Sequence, residues 1–154
     1  MPTADPFILL RHARAGRKLS DTSKDFKRAL DRKGKEVALR LPGAIELYVH
    51  PEAILSSPFR RCVETVQPLA EELDLHIVED ERLTPGRSAT TVREALLDLP
   101  AHSVVSTHGE VIAQLFDGRA RCAKGAFWVV ERREGTFSPQ RYVEAPVRAG
   151  RSKG

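Results

Sequence analysis

Phe7-Ile8-Leu9-Leu10-Arg11-His12-Ala13 is the segment from which both the class of fold and a candidate site can be inferred. Its four consecutive apolar residues lie between Asp5-Pro6 and Ala15-Gly16, a pattern typical of a buried strand in a parallel sheet. The run ends in Arg11-His12, so a cation and an imidazole lie at the C-terminal end of the strand, where open α/β sheets bind ligands. A guanidinium matches phosphate oxygens, and a histidine can act as nucleophile or as general acid and base. The stretch therefore indicates a phosphate site with a histidine nucleophile, unless the strand merely ends in two polar surface residues.

The rest of the chain alternates apolar strands with amphipathic helices. Strands are predicted at residues 53–57, 76–78 and 103–107, with edge strands at 126–130 and 141–143. Residues 14–28 read as a loop. Helices are predicted from an N-cap at Asp31 to Pro42-Gly43, after Pro58 with a kink or a split at Pro68, over residues 88–99, and around Val111 to Phe116. This alternation predicts an α/β fold with a mainly parallel sheet.

The composition limits the classes of protein to which the chain can belong. Its 154 residues, 41% hydrophobic and 30% charged, fit one soluble domain with a substantial core. The net charge of +4 favours anionic ligands, but we do not expect nucleic acid among them because basic residues do not alternate with aromatic residues. No apolar run approaches the roughly 20 residues that span a bilayer. Cys62 and Cys122 do not have metal-ligand spacing, and residues 1–5 do not resemble a signal peptide, so we expect no metal, no membrane and a cytoplasmic location.

Arginine and histidine side chains that could bind and attack a phosphoryl group lie at or just after the ends of three predicted strands. The first supplies Arg11 and His12, the second leads into residues 57–61, and the fourth ends at His108. Parallel strands place their C-terminal ends on one edge, so these groups are expected to converge. Arg60 and Arg61 both lie in the first turn of the following helix, whose N-terminus favours an anion. Phosphoryl transfer requires groups that bind an anion and stabilise its charge. Arginines, histidines and a helix N-terminus around one centre meet this requirement.

The chain resembles the histidine phosphatase (phosphoglycerate mutase-like) superfamily. The signature pieces are Leu10-Arg11-His12-Ala13, Ser57-Pro58-Phe59-Arg60-Arg61-Cys62-Val63-Glu64-Thr65 and Thr107-His108-Gly109, in the family's order. Residues 25–31 with Gly34, and residues 61–70, are most similar to short bacterial phosphohistidine phosphatases and to the phosphatase-like domain that follows a Nudix domain in some mycobacterial nucleotide hydrolases. The resemblance implies one three-layer domain over residues 1–147, with helices on both faces of the sheet. Residues 148–154 are then a basic tail, which we expect to be disordered.

The resemblance also implies roles for individual residues. His12 would be the phosphorylated nucleophile, Arg11 and Arg61 would hold the phosphoryl oxygens, and His108 would donate to the transferring group. The spacing from Ser57 to Thr65 selects Arg61 over Arg60. We expect substrate contacts at Arg14, Ser57, Arg60 and Arg87, although exposed loop cations such as Arg17, Lys18, Arg28 and Arg87 are commonly just solvated.

Two departures from the family pattern affect the chemistry. Ala13 replaces a usual glycine, and Thr84-Pro85 follows Leu83 where larger members carry the glutamate that protonates the leaving group. The possible substitutes for that acid are Asp80, Glu81 and Glu110. Without an acid, the preferred substrates have good leaving groups. The short segment between Arg61 and His108 leaves little room for a lid, which suits a large substrate.

The sequence thus predicts a cofactor-independent phosphatase that works through a phosphohistidine at His12. Its substrate would be a phosphohistidine protein or a nucleotide or other phosphoanhydride, and inorganic phosphate or another anion would also occupy the site. The alternatives are a non-catalytic phosphate-binding regulatory domain and, less favoured because of the missing acid, a phosphoglycerate mutase.

Overall fold

One six-stranded sheet organises the residues that the computed structural model describes, which are 5–17, 22–116, 118 and 120–147. The strands are β1 (Asp5–Arg11), β2 (Ala53–Ser56), β3 (Ile77–Glu79), β4 (Ser103–Thr107), β5 (Phe127–Arg133) and β6 (Thr136–Val143). The helices are α1 (Arg32–Glu46), α2 (Arg60–Leu73), α3 (Ala89–Leu97) and α4 (Gly109–Leu115). Two short 3-10 helices cover Thr22–Lys27 and Glu81–Leu83, the first of them inside the predicted loop of residues 14–28.

The strand order explains where a ligand can bind. The order is β3-β2-β4-β1-β5-β6, and the first four of these strands pair in parallel. β5 and β6 run antiparallel to their neighbours. β4 lies between β1 and β2, so the residues that follow these three strands share one edge of the sheet. The predicted α/β fold with a mainly parallel sheet is confirmed.

Alternate residues of β1 face two separate cores. Phe7 and Leu9 pack in the cluster that α3 and α4 cover, whereas Ile8 and Leu10 pack in the cluster that α1 and α2 cover. All four side chains are essentially inaccessible to solvent. A continuous apolar run is therefore required in β1, because both faces of this central strand are buried.

Two prolines lie inside helices that continue past them, although Pro42 is predicted to end its helix and Pro68 to kink or split its own. Asp31 caps α1 by accepting a hydrogen bond from Gly34 N at 2.8 Å, as expected, but the helix continues through Pro42 to Glu46. α2 also runs unbroken through Pro68, so the predicted split is wrong. A proline inside a helix removes one hydrogen bond. In α1 the burial of Leu41 and Ile45 on either side of Pro42 offsets that loss.

The predicted edge strand at residues 126–130 is wrong in its position. β5 pairs with β1 on one side and with β6 on the other, so β6 and not β5 forms this edge of the sheet. A tight turn joins the two strands at Glu134 and Gly135, which both have positive φ angles of 49° and 78°. Pro139 lies in β6, where a missing N–H group is tolerated because the outer side of the strand is unpaired.

Within the described residues, no helix combines the length and the apolar character needed to cross a bilayer. The predicted basic tail, residues 148–154, lies outside the described residues.

Candidate active site

A cleft of about 850 Å³ opens at the edge of the sheet where β1 and β4 end. Its lining includes six cationic side chains, three carboxylates and two imidazoles: Arg11, Arg14, Arg17, Arg28, Arg61, Lys124, Asp25, Asp31, Glu110, His12 and His108. An excess of positive charge in a concave site attracts and concentrates anions.

His12 lies just beyond β1 and is only 5% exposed. Its backbone N–H donates to the carbonyl of Thr107 at 3.0 Å, which fixes it to the end of β4. The ring Nδ1 lies 2.8 Å from the carbonyl oxygen of Ala13 and therefore donates to it. The lone pair of the neutral ring is then on Nε2, which accepts a hydrogen bond from Arg61 Nε at 3.3 Å. This arrangement leaves Nε2 as the nucleophilic atom.

Arg61 is held by Asp25, a residue of the first 3-10 helix. Arg61 Nη1 donates to the Asp25 carbonyl at 3.0 Å, and Arg61 Nη2 lies 3.2 Å from Asp25 Oδ2. Asp25 Oδ1 accepts from Arg28 Nε at 3.0 Å, and Arg28 Nη1 donates to the carbonyl of Gly16. The guanidinium of Arg61 is thus fixed at all three nitrogens, with Nε directed towards His12.

Arg11 approaches the site from beside the N-terminus of α4. Its Nη1 donates to the carbonyl of Cys122 at 2.9 Å, and its buried Nε has no hydrogen-bond partner among the described residues. A Cβ atom at Gly109 would lie 2.8 Å from Arg11 Cζ, so only glycine leaves room for the guanidinium here. Both Arg11 and the helix N-terminus favour an anion at this place.

His108 precedes α4 and is 3% exposed. Its ring centroid lies 5.5 Å from that of His12. His108 Nε2 is 3.0 Å from Ser57 Oγ and 3.5 Å from Cys62 Sγ, and the ring of Phe59 meets it edge to face at 4.9 Å. The imidazole is therefore packed firmly beside His12.

Thr65 connects the segment that follows β1 to the first turn of α2 through two hydrogen bonds. The backbone N–H of Ala13 donates to Thr65 Oγ1 at 2.9 Å, and this hydroxyl donates to the carbonyl of Arg61 at 2.7 Å. The end of β1 is thereby joined to the first turn of α2. This contact explains physically why the arginine four residues before Thr65, rather than Arg60, reaches the cleft.

Burial and positive charge keep both histidines neutral. Burial, with the charges of Arg61, Arg11 and Lys124, lowers the pKa of His12 to about 4, although its bond to Ala13 acts in the opposite direction. Burial lowers the pKa of His108 to about 3, and the nearby His12 and Arg61 contribute. Burial alone would raise the pKa of Asp25, but the charges of Arg61 and Arg28 lower it. At neutral pH the site therefore holds an ionised carboxylate and unprotonated imidazoles.

The structure separates the predicted substrate contacts into two groups. Arg14 lines the cleft, where it pairs with Asp31 at 2.8 Å, and Ser57 is buried against His108. Arg60 does not line the cleft: it pairs with Glu64 at 2.8 Å and its side chain is 59% exposed. Arg87 also lies outside the lining and donates to Thr84 Oγ1.

The three carboxylates suggested as acids also lie in different places. Asp80 is paired with Arg82 at 2.8 Å, and hydrogen bonds from the side chain and the backbone N–H of Arg82 lower the pKa of Asp80. Glu81 is exposed and does not line the cleft. Glu110 does line it, in the first turn of α4.

The sequence patterns assign no role to Asp25 or Lys124, although both residues line the cleft. Asp25 belongs to residues 25–31, which are most similar to the short bacterial phosphohistidine phosphatases. That similarity is the signal in the sequence that could have identified Asp25 as a site residue. Arg17 and Arg28, considered as solvated loop cations, also line the cleft, and Arg28 is half-buried against Asp25. No pattern in the sequence marks Lys124, whose position depends on how the loop before β5 folds.

No group of three or more potential metal ligands is present in the part of the chain that the structure describes. The arginines of the cleft can bind a phosphoryl group, and the lone pair on His12 Nε2 can attack it.

Comparisons with known proteins agree with this geometry. The family profile of the histidine phosphatase superfamily (branch 1) matches residues 7–85. The chain belongs to this superfamily. A curated relative, the 8-oxo-(d)GTP phosphatase of Mycolicibacterium smegmatis, is 30% identical over 161 residues. The match covers 90% of this chain and 48% of that protein, so this chain spans about half the length of that relative.

Solved structures share the fold of this histidine phosphatase domain. The protein histidine phosphatase SixA complexed with tungstate gives a TM-score of 0.77 at 21% identity, covering 91% of this chain and 97% of the other. SixA of Agrobacterium tumefaciens gives 0.72 at 21% identity, with 90% and 97% covered. Both resemblances establish the fold of the chain as that of the phosphoglycerate mutase-like phosphatases.

Proposed function

We propose that this chain is a metal-independent phosphatase that hydrolyses its substrate through a phosphohistidine at His12. The observation that carries the proposal is the orientation of the His12 ring. Nδ1 donates to the Ala13 carbonyl, and Nε2 lies in the cleft beside the guanidinium of Arg61. A neutral imidazole with its lone pair directed into a cationic cleft is equipped to attack phosphorus.

The surrounding residues supply the remaining parts of the reaction. Arg11 and Arg61 hold the equatorial oxygens of the phosphoryl group and stabilise the charge on them during transfer. The ring nitrogen of His108 that carries the proton donates a hydrogen bond to the same group. Nε2 of His12 forms the new bond to phosphorus as the leaving group departs with its electron pair. Water then attacks the phosphohistidine, which releases inorganic phosphate and restores neutral His12.

The proposed substrates are phosphohistidine protein, nucleotides or other phosphoanhydrides. Thr84-Pro85 replaces the glutamate of larger relatives, and neither Asp80 nor Glu81 lines the cleft. An enzyme without a placed acid loses about 10²–10⁴-fold on poor leaving groups. The tungstate complex of SixA and the phosphatase activity of the Mycolicibacterium relative support a phosphorylated substrate for this chain too.

A quenched-reaction experiment tests the nucleophile. Wild-type protein mixed with acetyl phosphate should give an acid-labile, base-stable phosphoenzyme, and His12→Ala should abolish it. His76→Ala is the matched control, because His76 is exposed and does not line the cleft. Turnover should persist in EDTA. A phosphoenzyme that survives in His12→Ala would disprove the assignment, and phosphate binding with no turnover would instead favour the regulatory-domain alternative.

A further inference from the structure

The cleft contains more positive charge than one transferring phosphoryl group uses. Arg11 and Arg61 are already assigned to that group, Arg28 is paired with Asp25, and Arg14 is paired with Asp31. Arg17 and Lys124 also line the cleft, and neither has an ion-pair partner among the described residues. Glu110 is the one lining carboxylate, within those residues, that is not paired with a cation.

Both surplus cations stand next to firmly anchored backbone. Gly125 follows Lys124, and its N–H is within 3.1 Å of the carbonyl oxygens of both Arg11 and His12. Gly16 precedes Arg17, donates its N–H to Ala29 O at 2.9 Å and accepts a hydrogen bond from Arg28. Lys124 is close enough to His12 for its charge to contribute to the lowered pKa of that ring. The backbone that carries these two exposed side chains is therefore anchored beside the cleft, at Gly125 through the end of β1 and at Gly16 through Ala29 and Arg28.

The size of the cleft agrees with a substrate that extends beyond the phosphoryl group. About 850 Å³ falls in the range of pockets that hold ligands of several hundred daltons, roughly 300–1,000 Å³. Guanidinium and ammonium groups are the usual protein partners of phosphate oxygens.

We propose that Arg17 and Lys124 form a subsite for a second phosphate, so that the substrates are phosphoanhydrides whose terminal phosphoryl group is transferred to His12. The inference rests on the proposed function and narrows its substrate class. Nε2 of His12 forms the N–P bond while the bond from phosphorus to the bridging oxygen breaks. The electron pair stays on that oxygen, and the leaving phosphate carries the developing negative charge. Arg17 and Lys124 neutralise this charge and so replace the proton that an acid would deliver.

The test compares substrates that have or lack a second phosphate. Inorganic pyrophosphate and a nucleoside diphosphate have one, whereas p-nitrophenyl phosphate and acetyl phosphate do not. Lys124→Ala and Arg17→Ala should each lower kcat/KM by about 10-fold or more for the first pair and by less than about 2-fold for the second. Comparing each variant with wild type on the same substrate removes differences in leaving-group chemistry. Lys33→Ala is the control, because it removes one charge from an exposed position of α1 outside the cleft lining.

Several outcomes would overturn the subsite. Equal losses of kcat/KM on all four substrates would mean that the cations bind the transferred phosphoryl group or attract any anion into the cleft. Unchanged rates of the variants on pyrophosphate would show that neither cation contacts the second phosphate. A loss of rate confined to a phosphohistidine protein would show that these cations bind a protein substrate instead. Failure of the proposed function would look different, because p-nitrophenyl phosphate turnover would then be absent in wild type or retained in His12→Ala.

Discussion

Arg60 and Arg61 are neighbours in the sequence, yet the first turn of α2 gives their side chains different surroundings. Arg61 contacts His12 and Asp25, whereas Arg60 is exposed and paired with Glu64. We expect Arg61→Ala to lower kcat/KM by about 10²–10³-fold, since a preorganised donor to the transition state is lost. Arg60→Ala should stay within about 3-fold, because exposed ion pairs contribute little. Steady-state kinetics with p-nitrophenyl phosphate checks both, and similar losses would contradict the assigned register.

Gly109 offers a second prediction at the scale of a residue. A methyl group there would lie 2.8 Å from Arg11 Cζ, which is the movable end of a side chain rather than backbone. Gly109→Ala should therefore displace the guanidinium and lower kcat/KM by about 10-fold or more, with little change in Tm.

The matched control is Gly43→Ala. Gly43 lies inside α1, and a Cβ atom there would meet nothing within 4 Å. This substitution should stabilise the fold by up to about 1 kcal/mol without changing activity. A fall in Tm without a loss of activity in Gly109→Ala would show that the close approach to Arg11 is structural only.

The sequence could predict the convergence of Arg11, His12, Arg61 and His108 because strand ends and motif spacing place each of them. It could not predict the bond between Asp25 and Arg61. These residues are 36 positions apart, and their contact depends on residues 22–27 folding back over the cleft. Neither hydrophobic periodicity nor turn chemistry encodes that approach.

Among the elements of the fold, the first 3-10 helix orients Arg61, the proposed phosphoryl-binding arginine, through Asp25. Asp25→Asn keeps the backbone bond to Arg61 but removes the negative charge that Arg61 and Arg28 share. A hydrogen bond between charged groups contributes about 1.5–3 kcal/mol, so kcat/KM should fall by about 10-fold or more. Kinetics with p-nitrophenyl phosphate measures the loss.

Asp98→Asn serves as the control for this prediction. Asp98 is largely exposed and pairs with Arg82 outside the cleft lining. Its substitution should leave kcat/KM unchanged. If Asp25→Asn behaved like this control, the backbone carbonyl alone would be sufficient to hold Arg61.

Element boundaries followed the sequence where local chemistry determined them and departed from it where packing did. Asp31 and Ser88 cap α1 and α3 through their own side chains, which a sequence shows directly. Pro42 and Pro68 were expected to interrupt helices, but the apolar residues around them bury more surface when the helices continue. The length of β6 was not predictable because seven of its eight residues are not buried and follow no clear alternation.

At the scale of the whole molecule, two buried neutral histidines make folding depend on pH. In the unfolded chain a histidine titrates near 6.5, whereas in the fold the pKa is about 4 for His12 and about 3 for His108. Between pH 6.5 and these values the unfolded state binds more protons, so stability is lost as the pH falls. The loss from pH 6.5 to 5 should be about 2 kcal/mol per histidine.

Urea unfolding measured at pH 7.5, 6.5, 5.5 and 5 tests this dependence. His12→Gln and His108→Gln should each remove roughly half of the slope between pH 6.5 and 5, because each deletes one titrating group. Asp25 contributes at lower pH, since its lowered pKa matters only below the ordinary aspartate value near 4. A stability that does not change between pH 6.5 and 5 would contradict the neutral, buried state of the two rings.

The thiol of Cys62 lies 3.5 Å from a catalytic-site imidazole, which elsewhere is a setting for redox control. Here the opposite follows from its surroundings. Burial raises the pKa of Cys62 to about 12, so the reactive thiolate is not formed, and the side chain is inaccessible to solvent. Cys122, whose carbonyl holds Arg11, is also buried and free, and burial raises its pKa to about 11. We therefore expect both cysteines to react only slowly with oxidants and alkylating agents while the fold around the candidate site is intact.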